Sequence, residues 1–76
     1  MRWEEVVGLN VRRLRKARGL TQEKLSLDAG IDLRYLGGIE RGQYNPSVSM
    51  LGKLADALSV HPAALWQEPS GSATGA

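Results

Sequence analysis

The tightest constraint on this chain is the spacing of helix caps and turn glycines between Gly19 and Pro46. Thr21 is a good N-cap, because its hydroxyl can accept one of the amide protons a helix start leaves unpaired. Lys24 stands where a capping box would place an acid, so only half of that signature is present. The helix that follows carries Leu25 and Ala29 inward and stops at Gly30. Asp32 caps a second short helix, with Leu36 and Ile39 as its inward stripe and Ile31 as a staple-like contact before the cap. That helix ends at Glu40 and is closed by Arg41-Gly42. Two helices this short, joined by a three- or four-residue turn containing glycine, have the pattern of a helix pair that crosses at a steep angle.

The flanking segments are helical too. Upstream, a helix starting at Trp3 or Glu4 and ending at Ala17 is expected. Val7, Val11 and Leu14 form its inward stripe, with Arg12, Arg13 and Lys16 outside. Gly19 is its expected left-handed stop, and Leu20 packs back on the core. Downstream, Gln43-Tyr44-Asn45-Pro46 reads as a loop, since Pro46 biases Asn45 away from helical angles. Ser47 caps a fourth helix whose expected core face is Val48, Leu51, Leu54, Ala55 and Leu58. Pro62 suits the first position of a short fifth helix carrying Leu65 and Trp66. From Pro69 the chain is Ser, Gly and Ala without periodicity, which predicts a flexible tail. No segment carries a strand pattern. The expectation is an all-α, compact five-helix domain over residues 1–68 and a flexible tail over 69–76.

Composition excludes most chemistry. The 76 residues contain no cysteine and one histidine, so neither a disulfide nor a thiolate metal site can form. His61, in a turn before Pro62, is expected to cap or to be solvated. No serine is placed with it and an acid for nucleophilic catalysis, and no glycine-rich loop with a phosphate-binding lysine is present. No enzyme activity, cofactor, metal or small-molecule ligand is therefore expected. No apolar run approaches the ~18 residues of a membrane span, and a cytoplasmic protein with no membrane partner is expected. Net charge is only +2, yet five of the ten basic residues fall between Arg12 and Arg18, downstream of Glu4 and Glu5. Acids near a helix start and bases near its end complement the helix dipole. Attraction to phosphate is a compatible second reading.

The steep helix pair closed by glycines is the helix-turn-helix arrangement, whose second helix enters the DNA major groove. Its outward positions here are Leu33, Arg34, Gly37 and Gly38. Arg34 is the only long hydrogen-bonding side chain among them, and arginine to guanine is the commonest specific base contact. It is the expected base reader, with a phosphate contact or plain solvation as the alternative. Leu33 either meets a thymine methyl or is an ordinary surface leucine. Gly37 and Gly38 each cost roughly 1 kcal/mol relative to alanine in a helix. Their presence means close approach either of the backbone to DNA or of one helix to another. Tyr35 is divided between core and duplex. Gln22 sits at a helix N-terminus, where amides and dipole favour phosphate. Arg41, Gln43, Tyr44 and Asn45 are expected to form a second phosphate clamp.

Several pieces in order, namely Gly19-Leu20-Thr21-Gln22-Glu23-Lys24-Leu25, Ala29-Gly30-Ile31, Tyr35 to Gly42, Asn45-Pro46-Ser47 and Leu54 to Leu58, resemble the Cro/C1-type helix-turn-helix family. That group, also called the xenobiotic-response-element family, includes phage repressors and restriction–modification controller proteins. The resemblance spans about residues 7 to 66. It implies a five-helix domain binding double-stranded operator DNA as a two-fold homodimer, with Thr21 as cap and Gln22 on phosphate. It also implies a structural pair between Arg15 and Glu40. Leu65 and Trp66 are the expected dimer interface, since Trp3, Leu9, Leu27, Leu65 and Trp66 together are more apolar surface than one small core absorbs. The expected function is a sequence-specific transcriptional regulator. The alternative is a protein-interaction module, antitoxin-like or an adaptor, with only weak DNA binding.

Overall fold

The computed structural model describes residues 1–68, and among them every regular element is helical. The elements are α1 (Trp3–Ala17), α2 (Gln22–Ala29), α3 (Leu33–Glu40), α4 (Val48–Leu58) and a terminal 3-10 helix (Pro62–Trp66). The five-helix expectation is thus corrected to four α-helices and one 3-10 segment. A five-residue stretch opened by proline is too short to establish an α-helical hydrogen-bond ladder, and the tighter i→i+3 geometry suits such short pieces. The expected tail lies outside the described residues.

The caps account for the boundaries. Thr21 Oγ1 accepts from the Lys24 amide at 3.0 Å, Asp32 Oδ1 from the Arg34 amide at 2.7 Å, and Ser47 Oγ from the Met50 amide at 3.1 Å. His61 turns out to be a cap as well, its Nδ1 accepting from the Ala63 amide at 3.0 Å. At the α2–α3 turn, Gly30 adopts φ 70° and the Ile31 amide reaches back to the Ser26 carbonyl at 2.9 Å. This left-handed closure satisfies carbonyls the helix end would orphan. α4 ends the same way without glycine: Ser59 takes φ 57°.

The core is built from Val7, Val11, Leu25, Ala29, Leu36, Ile39, Leu51, Leu54, Ala55, Leu58 and Leu65. α1 and α4 thereby enclose the inward stripes of α2 and α3. Val48, expected in the core face of α4, is instead 85% exposed. It occupies the first helical position, and the inward stripe begins one turn later, at Leu51. Leu9 and Leu27, set aside as surplus apolar residues, are exposed.

One buried polar residue ties α1 to the 3-10 segment and the residue that follows it. Asn10 Nδ2 donates to the carbonyls of Leu65 (2.9 Å) and Gln67 (2.7 Å), and its Oδ1 accepts from Arg13 at 3.1 Å. Among the described residues, no buried side-chain nitrogen or oxygen lacks a partner. Asn10→Ala removes both bonds to the terminal segment and leaves the buried Leu65 carbonyl with a lost donor. It should cost about 1–3 kcal/mol, read as a lower midpoint in urea unfolding. An unchanged midpoint would mean that the segment is held by Leu65 packing alone.

Candidate nucleic-acid interface

At ~100° per residue, α3 places Arg34, Gly37, Gly38 and Arg41 on one face, opposite the buried Leu36 and Ile39. That face is built from more than the helix itself. Arg34 is exposed and makes no side-chain hydrogen bond among the described residues, while its amide is held by the Asp32 cap. Leu33 beside it is 40% exposed.

The two glycines act differently from expectation. Gly38 is buried, and a Cβ there would overlap the Cδ2 and Cε2 atoms of the Tyr44 ring. Gly38 is therefore corrected as a DNA-contacting residue: an aromatic side chain from the following loop lies over it. Gly37 is buried as well. A Cβ on it would stand 3.2 Å from an Arg41 guanidinium nitrogen and 4.0 Å from the Gln22 amide group. The missing side chains let later residues fold down over the helix. Tyr44 is secured further by Tyr35, the ring centroids 5.1 Å apart and tilted by 45°. Tyr35 itself is half-buried against the core. Arg41 is oriented by Gln43, whose Oε1 accepts from Nε at 3.3 Å and from the second terminal nitrogen at 3.2 Å. Gln43 and Asn45 are exposed, and Pro46 behind them is buried.

Beneath this surface lies a buried ionic cluster. Arg15 Nε donates to Glu40 Oε2 at 2.7 Å and its terminal nitrogen to Oε1 at 3.1 Å, a two-pronged contact. The remaining guanidinium nitrogen donates to the Leu20 carbonyl at 2.8 Å. Gln22 Nε2 completes the set by donating to Glu40 Oε1 at 3.0 Å. The planar guanidinium matches a carboxylate in two parallel bonds, which fixes direction as well as distance. The cluster joins α1, the α1–α2 turn, the start of α2 and the end of α3. Gln22 is thus anchored by its amide nitrogen while half-exposed at the helix N-terminus, beside the exposed Thr21.

The expected dimer residues separate. Leu65 has no exposed surface and belongs to the core of the single chain, so it is corrected as an interface residue. Trp66, 45% exposed, meets Trp3, 54% exposed, edge to face with centroids 5.7 Å apart. Counting surplus apolar residues from the sequence did not reveal which of the neighbouring Leu65 and Trp66 would turn inward.

Gly8 is a structural residue the sequence reading passed over. A Cβ there would collide with the Ile39 carbonyl oxygen and stand 2.9 Å from that of Glu40. The signal was available: a glycine inside an amphipathic helix, one residue from its inward stripe, marks a close approach. Among the described residues, no group of three or more histidine, aspartate or glutamate side chains converges as a metal site, and no helix is long and apolar enough to cross a membrane.

With this geometry in hand, the comparisons with known proteins are specific. Residues 11–65 match the helix-turn-helix family HTH_3. The chain is 45% identical over 60 residues to the uncharacterized HTH-type transcriptional regulator y4dJ of Sinorhizobium fredii, covering 79% of this chain and 78% of that protein. It is 42% identical over 59 residues to the immunity repressor protein of Bacillus phage phi105, covering 78% of this chain and 41% of the repressor. Among solved structures, the restriction-modification controller protein C.AhdI from Aeromonas hydrophila superposes with a TM-score of 0.79 at 45% identity, over 82% of this chain and 94% of that one. The hypothetical transcription factor NHTF from Neisseria gives 0.87 at 29% identity, over 99% and 86%. Caps, turn, ion pair and these likenesses agree: the chain belongs to the Cro/C1-type helix-turn-helix family HTH_3.

Proposed function

We propose that the protein is a sequence-specific DNA-binding transcriptional regulator that grips a two-fold operator as a homodimer. The observation that carries this reading is the outer face of α3. Arg34 is exposed and unpartnered there among the described residues, and Gln22, Arg41 and Tyr44 are gathered around the same face. An exposed guanidinium near the start of a short helix can reach base edges, while a helix N-terminus and a following loop grip phosphate on either side. Thr21, Gln22, Arg41, Gln43 and Asn45 take the phosphate roles. Arg34 reads a base pair, with Leu33 beside it. Two subunits would place their α3 helices in successive major grooves, about 34–36 Å apart. The exposed Trp3–Trp66 edge offers the aromatic surface that interface cores favour. The names of the relatives, regulators and repressors among them, support the same reading.

Arg34→Ala tests it. The substitution should weaken binding to the preferred operator by about 1–3 kcal/mol and relax the preference at one position of each half-site. Site selection from random duplexes, followed by titration across a salt series, measures both effects. An equal loss on every sequence would move Arg34 to the phosphate backbone. Micromolar binding to any duplex without sequence preference by the unaltered protein would favour a protein-interaction module instead.

A further inference from the structure

Every side chain on the outer face of a recognition helix has to come from somewhere, and two of the four positions on α3 have none. The place above Gly38 is filled by Tyr44, six residues on and outside the helix. Its ring is covered on one side by the Gly38 backbone and by Tyr35, yet 47% of the residue remains exposed. Gly38 shares a helix face with Arg34, separated by one turn, so the ring emerges alongside the arginine. It does not have to be ordered on binding, because packing already fixes it, and a preorganised aromatic side chain contributes contact area at low entropic cost.

We infer that Tyr44 is a specificity-determining residue: its ring takes the groove-facing place that Gly38 leaves empty on α3 and reads an A·T pair through the thymine methyl. The inference rests on the assignment of α3 as the recognition helix. It differs from a phosphate contact by Tyr44 in one respect that can be measured, since phosphate contacts position a protein without carrying sequence information directly. An apolar ring edge at this site meets the C5-methyl of thymine, a group the other bases lack in the major groove. Gly38 becomes part of the same device. A methyl group at position 38 would push the ring away, and because the ring is the end of a loop side chain and not backbone, it can be displaced without rebuilding the fold.

The test is site selection from a random duplex pool with the full chain, its Tyr44→Leu, Tyr44→Ala, Tyr44→Phe and Gly38→Ala variants, and the Gly38→Ala/Tyr44→Ala double variant. Circular dichroism melting accompanies each. The expected result is that Tyr44→Ala and Gly38→Ala flatten the same A·T position, lowering its preference about fivefold or more. The double variant should lose no more than either single change, and Tyr44→Phe should keep the preference. Tyr44→Leu still covers Gly38 and serves if Tyr44→Ala fails to fold; its shorter side chain stops short of where the ring edge reaches, so it too should lose the preference. Three results would overturn the inference: a loss spread evenly over all sequences, flattening at different positions in the two single variants, or loss of the preference in Tyr44→Phe. If the unaltered chain selects no sequence at all, the failure lies with the regulator reading itself and removes the role of Tyr44 with it.

Discussion

Gly8→Ala should destabilise the protein by about 2–3 kcal/mol, the upper part of the range for overpacking a filled interior. The sign runs against local propensity. Glycine in the middle of a helix costs roughly 1 kcal/mol relative to alanine, so an exposed site would gain from this change. At Gly8 the new methyl would meet the carbonyl oxygens of Ile39 and Glu40 and stand 3.1 Å from the Glu40 carbonyl carbon. These are backbone atoms at the end of α3, not side-chain tips that can rotate aside. Relief requires α1 and α3 to move apart, which loosens the packing of Val7, Val11 and Ile39 and strains the Arg15–Glu40 contact. A domain this small holds only a few kcal/mol in total, so much of its stability would go. Urea unfolding followed by far-ultraviolet circular dichroism measures the change. An alanine variant as stable as the parent would show that the two helices do not approach as closely as described.

The second large effect is expected when one partner of the buried ion pair is removed. The Arg15 and Glu40 side chains retain only 11% and 3% of their exposure. Arg15→Met leaves a carboxylate out of water with Gln22 as its one remaining side-chain donor among the described residues. Breaking such a pair typically costs about 3–5 kcal/mol, most of it the penalty of an uncompensated buried charge. Glu40→Leu should be comparably damaging, because among the described residues it strands the guanidinium with only the Leu20 carbonyl. The double variant Arg15→Met/Glu40→Leu, with both charges gone and the volume largely kept, should be clearly more stable than either single one. A double-mutant cycle in urea gives the coupling directly. If the two single losses simply add, the contact carries no special weight. Arg15→Lys should fall between, since an ammonium cannot make the two-pronged contact.

These two sites also show what the sequence made legible and what it did not. Helix positions were readable because caps and stops are local chemistry: Thr21, Asp32 and Ser47 accept from amides two or three residues away, and Gly30 needs only its own φ. The Arg15–Glu40 pairing spans 25 residues and was accessible only through family likeness. No periodicity links the two positions. Outward-facing Arg34 followed from the inward stripe of Leu36 and Ile39. The failures share a cause, which is that one-dimensional patterns do not say what lies across a gap. Gly38 looked like an opening toward DNA because its distance to Tyr44 in space cannot be read from a six-residue separation across a turn. Leu65 looked like surplus apolar surface because the depth of the cleft between α1 and α4 is set by packing. Val48 looked like core because helical spacing alone admits it. Asn10, polar on the side of α1 that faces the terminal 3-10 helix, was not singled out because its partners are backbone carbonyls, which leave no mark in a side-chain pattern.

The edge-to-face contact between Trp3 and Trp66 has a practical corollary. The chain contains two tryptophans, and both stand at the seam where α1 meets the terminal 3-10 helix, with neither on α3. Intrinsic indole emission therefore follows the docking of the C-terminal segment and any association of subunits along that seam. Silence in such a fluorescence titration with duplex would say nothing against occupancy of the groove, and an extrinsic dye on the nucleic acid is the appropriate reporter.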